Sequence, residues 1–364
     1  MIKKAGQLIL IAILLLIPLS PATVRAADGL QVLESRVEVD FPMKVNFGLS
    51  AASDASITDI RLHYTVDRMR HAEVISEVSL DFEPAEMVDA EWSWDMRKSG
   101  GLPPGSGLSY WWTVRDAVGG ELETEPATVQ VNDDRYSWRS LSEGLITLYW
   151  YEGDDAFARE LMDTAQQALV RLHSDTGAGL ESPAEIYIYA RSEDLLGAMI
   201  FPQEWTGGVA YTRFSTIAIG IPPDNLGWGK RAMTHELTHL VIHQVVFNPY
   251  NDLPTWLDEG LAMYAEGPLE PVFVNLIVKA INEDTLITVR SLASPFSAYA
   301  EESILAYAQS YSLVDLLINN YGQSRMLELL NIFREGSGYD EALREVYGFD
   351  MDGLNELWLS YIRK

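Results

Sequence analysis

His235-Glu236-Leu237-Thr238-His239 places the side chains best suited to chemistry within five residues of a 364-residue chain. On a helix, His235 and His239 stand one turn apart on one face, so both imidazoles reach a single cation. Glu236, beside the first histidine, can contact a water at that cation without binding the cation itself. Twenty residues after His239, Trp256-Leu257-Asp258-Glu259-Gly260 offers a third ligand, the Glu259 carboxylate, from a separate helix. Two histidines, one glutamate and an open fourth position describe a catalytic zinc site. Imidazole is a poor ligand for magnesium or calcium, so one zinc ion is the expected cofactor. The chain has no cysteine, which excludes a thiolate zinc site.

The competing reading is a buried helix whose histidines are satisfied by ordinary hydrogen bonds. It would leave Glu236 and Glu259 near an apolar core with no cation to offset their desolvation. In the zinc reading, Glu236 is the general base that takes a proton from water and relays it to a leaving amine. His243 lies one further turn along the same face. One straight helix rarely supplies three ligands to a compact tetrahedral site, so His243 is expected to pack or to support a ligand; the alternative makes it a ligand in place of Glu259.

The elements that must hold these residues fall into two stretches. From 28 to 133 the pattern alternates with period two, as in Val37, Val39 and Phe41, in Val45, Phe47 and Leu49, and in Ile60, Leu62 and Tyr64. Pro103-Pro104-Gly105 then punctuates the segment before the aromatic strand Tyr110-Trp111-Trp112. This predicts an all-β sandwich like immunoglobulin or fibronectin type III modules. Trp92, Trp94, Trp111 and Trp112 are read as core and edge residues in preference to a carbohydrate-stacking surface.

From 134 to 364 the pattern predicts a small sheet with helices, then a helical body. A strand is expected near 145–151 and a helix from Asp154 to about Gly177. Strands are expected over 185–189 and 208–220, the metal helix over 230–246, and a further helix starting at Pro254. From about Ser303 the chain reads as helices separated by Gly322, Gly336 and Gly348.

Lys3 and Lys4 precede an apolar run over 8–17 and then Val24-Arg25-Ala26, the layout of a signal peptide cut after Ala26 or, if uncut, an N-terminal anchor. The expected location is outside the cytoplasm, extracellular or at the cell surface. Losing residues 1–26 removes three basic side chains and no acidic ones, taking the formal charge from −27 to −30. So acidic a surface repels phosphate backbones, which argues against nucleic acid as a partner. Any membrane contact is expected only through an uncleaved N-terminal segment.

The pair His235-Glu-Leu-Thr-His239 and Trp256-Leu-Asp-Glu259-Gly resembles the gluzincin zinc metallopeptidases, in particular the peptidase MA-like families related to M1 aminopeptidases. The resemblance runs from about residue 205 to residue 322 and more weakly to the C-terminus. It implies a zincin-type α+β metallopeptidase domain with a helical C-terminal part and a peptide or protein substrate. Gly207-Gly208-Val209 is similar to the edge strand that lines the substrate cleft in those enzymes. Tyr307, at the start of a helix, resembles the tyrosine that stabilises the oxyanion, with Tyr311 one turn later as the alternative. Glu266 matches a carboxylate that supports the metal site. Where M1 aminopeptidases carry the glutamate that grips a substrate's free amine, this chain has Ala210. The resemblance therefore implies the fold and the zinc chemistry but not aminopeptidase specificity, and endopeptidase action, or a narrower specificity of another kind, is expected instead. The alternatives are a non-catalytic surface binding protein on a peptidase-like fold, or a zinc hydrolase of a non-peptide ester or amide.

Overall fold

The structure, a computed structural model, describes residues 29–203, 206–250, 252–297 and 299–363. The apolar segment over 8–17 and the cleavage site after Ala26 lie outside the described residues, as does Trp205. No described helix is long and apolar enough to cross a membrane.

The first half is β structure: β1 (Gln31–Asp40), β2 (Lys44–Val66), β3 (Ser76–Ser79), β4 (Ala85–Asp95), β5 (Ser106–Asp116), β6 (Glu121–Glu123) and β7 (Ala127–Val131). The two alternating runs that centre on Phe47 and Leu62 are one continuous strand of 23 residues. Its first part pairs with β1 and β4 and its second with β3 and β5. The register shifts between Ala52 and Ile57, where β2 leaves β4 for β5; an irregularity of this kind bends a strand and lets one sheet fold over its own core. Val45, Phe47 and Leu49, and again Ile60 and Leu62, face that core with a period of two, and the irregularity between Ile57 and Asp59 lets Ile57 face it as well. Trp112 is fully buried, Trp92 and Trp94 pack against the same core, and Trp111 stacks on His63. These tryptophans are packing residues.

A second sheet holds β8 (Arg139–Glu143), β9 (Ile146–Trp150), β10 (Ala184–Tyr189), β11 (Gly208–Tyr211) and β12 (Thr216–Gly220) in the order β11-β12-β10-β9-β8. The central strands β9, β10 and β12 run parallel, and the two edges run antiparallel to them. The stretch 208–220, expected as one strand, is a hairpin. A 3₁₀ turn at Thr212–Phe214 ends at Ser215 with φ of 51°, and this reverses the chain and makes β11 the outer strand.

One face of this sheet is covered by α1 (Asp155–Thr176), capped by the Asp154 side chain and ended by Gly177 at φ 76°. The short α2 (Ser192–Leu196) precedes β11. The rest is α3 (Leu226–Val245), α4 (Thr255–Glu266), α5 (Pro271–Glu283), α6 (Val289–Leu292), α7 (Ala300–Tyr321), α8 (Gln323–Arg334), α9 (Tyr339–Tyr347) and α10 (Met351–Ile362). The other face of the sheet carries an aromatic layer of Tyr136, Trp138, Tyr149, Tyr151, Tyr187 and Tyr189. Phe41 from the first half joins it, and Gly105 lies against Tyr187. Asp133 ties this layer together: its buried carboxylate accepts from Arg135 and from the Tyr189 hydroxyl.

Helices α4 and α7 touch through Gly260. A Cβ there would sit 2.5 Å from the Ser310 carbonyl oxygen and 2.6 Å from Val314 Cγ2. In an open helix alanine is favoured over glycine by about 0.5–1 kcal/mol, but this clash with backbone outweighs that gain. Gly260→Ala is therefore expected to destabilise the chain by about 1–3 kcal/mol in denaturant melts. Unchanged or raised stability would mean that the two helices are not held at this spacing.

Candidate metal centre and cleft

The metal helix is longer at its start than the motif suggested, opening at Leu226, and α4 follows Pro254 as expected. His235 and His239 project from α3 and meet Glu259 from α4. His235 Nε2 lies 3.2 Å from His239 Nε2, and each lies 3.4 Å from Glu259 Oε2. Among the described residues this is the one group of three His, Asp or Glu side chains placed to hold a metal. A tetrahedral zinc with bonds of about 2.0–2.1 Å holds its ligand atoms about 3.3–3.4 Å apart, and the three measured separations fit that face. Glu259 Oε2 is buried and makes no hydrogen bond within the protein. A buried carboxylate oxygen is costly unless a cation or donor meets it, so the donor set fits zinc.

The outward nitrogens of both rings are already fixed. His235 Nδ1 lies 2.8 Å from Glu266 Oε1, and His239 Nδ1 lies 2.8 Å from Asp258 Oδ1. An ionised carboxylate only accepts, so Nδ1–H donates in each pair and Nε2 turns its lone pair to the centre. Glu266 is held in turn by Arg231, whose Nε and Nη2 donate to it at 3.2 and 3.0 Å. Asp258 bridges two rings, since His243 Nε2 donates to its other oxygen at 3.0 Å. His243 thus supports a ligand through Asp258 and is not a ligand itself.

With no cation at the centre, burial opposes charge on His235 but Glu259 and Glu266 outweigh it and raise its pKa to about 9, so a zinc ion would bind there by displacing the Nε2 proton. Burial likewise opposes charge on His239, and Asp258 and Glu259 reverse it, raising its pKa well above the ordinary value. Burial would raise the pKa of Glu259, yet the neighbouring histidines bring it down to about 2. Asp258 is lowered further by the same contest, with His239 and His243 prevailing over burial. The site as a whole favours positive charge at its centre.

Glu236 differs. Burial raises its pKa and Glu259 adds to the rise, against the histidines and a hydrogen bond from the Ala210 N–H. Its carboxylate lies against β11: a Cβ on Gly208 would meet Glu236 Cγ and Oε1 at 2.9 Å each. Only glycine leaves that room. Gly207, Gly208 and Val209 line the same cleft, which has a volume of about 1160 Å³. The Gly220 N–H donates to the Gly207 carbonyl, so Gly207 faces β12. By antiparallel alternation Gly208 and Ala210 turn their backbone groups to the free outer edge.

Tyr307, on α7, lines the cleft, where its hydroxyl interacts with Glu259. Burial, then the charges of Glu259 and Glu236, push its pKa up, which keeps the phenol protonated as a donor. Tyr311 packs by Tyr264 and accepts from the Leu269 N–H, away from the cleft. The structure therefore brings Tyr307, and not Tyr311, to the metal centre. Sequence reasoning did not single out Asp258, Arg231 or Trp228. The signal for the last two was present, since residues 228, 231, 235, 239 and 243 share one stripe of α3.

No curated protein matches this chain by sequence. Among solved structures, a mutant of the M1 zinc metallopeptidase from Deinococcus radiodurans is 11% identical with a TM-score of 0.43, covering 92% of this chain and 95% of the other. Legionella pneumophila aminopeptidase A in complex with aspartic acid is 8% identical with a TM-score of 0.43, covering 91% and 50%. An aminopeptidase N family protein from Idiomarina loihiensis is 12% identical with a TM-score of 0.40, covering 87% and 74%. Likenesses this distant do not decide the family. The sequence model of the Peptidase MA superfamily does: it matches residues 164–364, more than half of the chain and all of the metal centre, and the chain belongs to that superfamily.

Proposed function

We propose that this chain is an exported zinc endopeptidase. The observation that carries the reading is the set of three ligand atoms 3.2–3.4 Å apart with Glu236 beside them at an open strand edge. Zinc held by His235, His239 and Glu259 would act as a Lewis acid toward a carbonyl oxygen and make water more acidic. Glu236 takes the proton of the attacking water and passes it to the leaving amine. A carboxylate in reach of both the water and the leaving amine can take the proton and give it back. Tyr307 donates a hydrogen bond to the oxyanion as it forms. The free edge of β11 pairs with an extended substrate, Gly208 and Ala210 supplying backbone groups.

Residues 28–133 are read as an immunoglobulin- or fibronectin III-like module that positions the peptidase domain over 134–364. Export by the segment 1–26, cleaved or retained as an anchor, belongs to the same reading.

Ala210 carries the choice of endopeptidase. It has no carboxylate for a free α-amine. Blocked internal peptides are therefore expected to be cleaved at least as well as free-amine aminoacyl reporters in side-by-side kcat/KM measurements. A strong preference for a free N-terminus would count against it. Tyr307→Phe is expected to slow cleavage roughly 10- to 1000-fold, the range for losing one oxyanion donor. Tyr311→Phe should matter less. Equal effects of the two changes would remove Tyr307 from its role.

A further inference from the structure

Three large apolar side chains stand exposed in one cleft: Phe201 at 77%, Trp228 at 42% and Ile304 at 36%. The chain as a whole has 53 acidic residues against 26 basic ones, so an apolar cleft mouth is a local departure from a charged surface. Exposed apolar surface gathered in one concavity marks a place where something apolar binds. Phe201 adds a second sign, with φ of 51°, a backbone conformation that bulky residues rarely adopt. A strained residue that also exposes its ring is held that way by its surroundings, as residues at ligand contacts often are.

The wall has a definite place along the strand. A Cβ on Gly207 would lie 2.8 Å from Trp228 Cζ2, so the indole packs on the start of β11. Met199, Ile200, Phe201 and Pro202 line the same cleft just before that strand. Gly208, against Glu236, marks where the reacting carbonyl must come. A polypeptide pairing antiparallel with β11 then carries the residues after the cut past the start of β11, where Trp228 and Phe201 stand. Arg231, in the same cleft, is occupied by Glu266 and Glu270 and offers no free cation to an acidic side chain.

We propose that Trp228 and the segment 199–202 form the subsite for the residue directly after the scissile bond, and that it selects large aliphatic or aromatic side chains over acidic ones. This rests on the endopeptidase reading.

The test uses the full chain loaded with zinc and a mixture of blocked peptides of systematically varied sequence, with cut sites read by mass spectrometry. Leu, Ile, Met or Phe is expected after the cut, with kcat/KM roughly 10- to 100-fold above the same peptides carrying Gly or Asp there. Trp228→Ala should shrink that ratio at this position and leave the ratios at the preceding position as they were. Phe201→Ser should do the same and keeps the test sound if the loss of Trp228 disturbs the strand. Cleavage with no preference after the cut, or a preference carried only by the residue before it, overturns the subsite and leaves the peptidase reading standing. No cleavage of any peptide by the zinc-loaded chain overturns both.

Discussion

Glu236→Gln is expected to keep its zinc and its fold while turnover of a blocked peptide falls by roughly 10²- to 10⁴-fold. The amide has the size of the carboxylate, so it still fits against Gly208, where even one added carbon would collide. Its oxygen can still accept from the Ala210 N–H. What it cannot do is take a proton from water at neutral pH, and that is the task assigned to Glu236. The two halves of the expectation are measured separately, metal content and circular dichroism for the first and kcat for the second. A variant that kept near-normal turnover would end the general-base assignment.

His239→Ala should abolish stoichiometric zinc. It removes one corner of the 3.2–3.4 Å triangle and leaves a site of two protein ligands. It also strips Asp258 of one of its two imidazole partners, leaving that part-buried carboxylate on His243 alone. Desolvation no longer balanced by charge adds a fold penalty to the loss of metal. Metal analysis after dialysis, with the parent chain alongside, reads the result. Full occupancy in the variant would refute the ligand set.

The metal centre was legible because its grammar is local. Four residues of spacing on a helix fix His235 relative to His239, and Glu259 sits in a second short motif that begins after a proline. The β character of the first half was legible for the same reason, since alternation is read residue by residue. The joining of two alternating runs into β2 was not, because the bend between Ala52 and Ile57 depends on which partner strand arrives. The hairpin over 208–220 was missed because its reversal rests on Ser215 in a left-handed conformation that serine seldom signals. Tyr307 and Tyr311 stand one turn apart on α7, and only the packing of α4 against α7 through Gly260 decides which of them meets Glu259. Asp258 gave little away, since a carboxylate next to a ligand looks like any helical surface charge until His239 and His243 are seen to converge on it.

Zinc-dependent endopeptidase action is read by hydrolysis of a diverse blocked-peptide mixture by the full chain, run with one equivalent of zinc, with a chelator, and with zinc restored. Internal cleavage is expected in the first condition, none in the second and full recovery in the third. Cleavage that persists in the chelator while the protein is shown to be metal-free would contradict it.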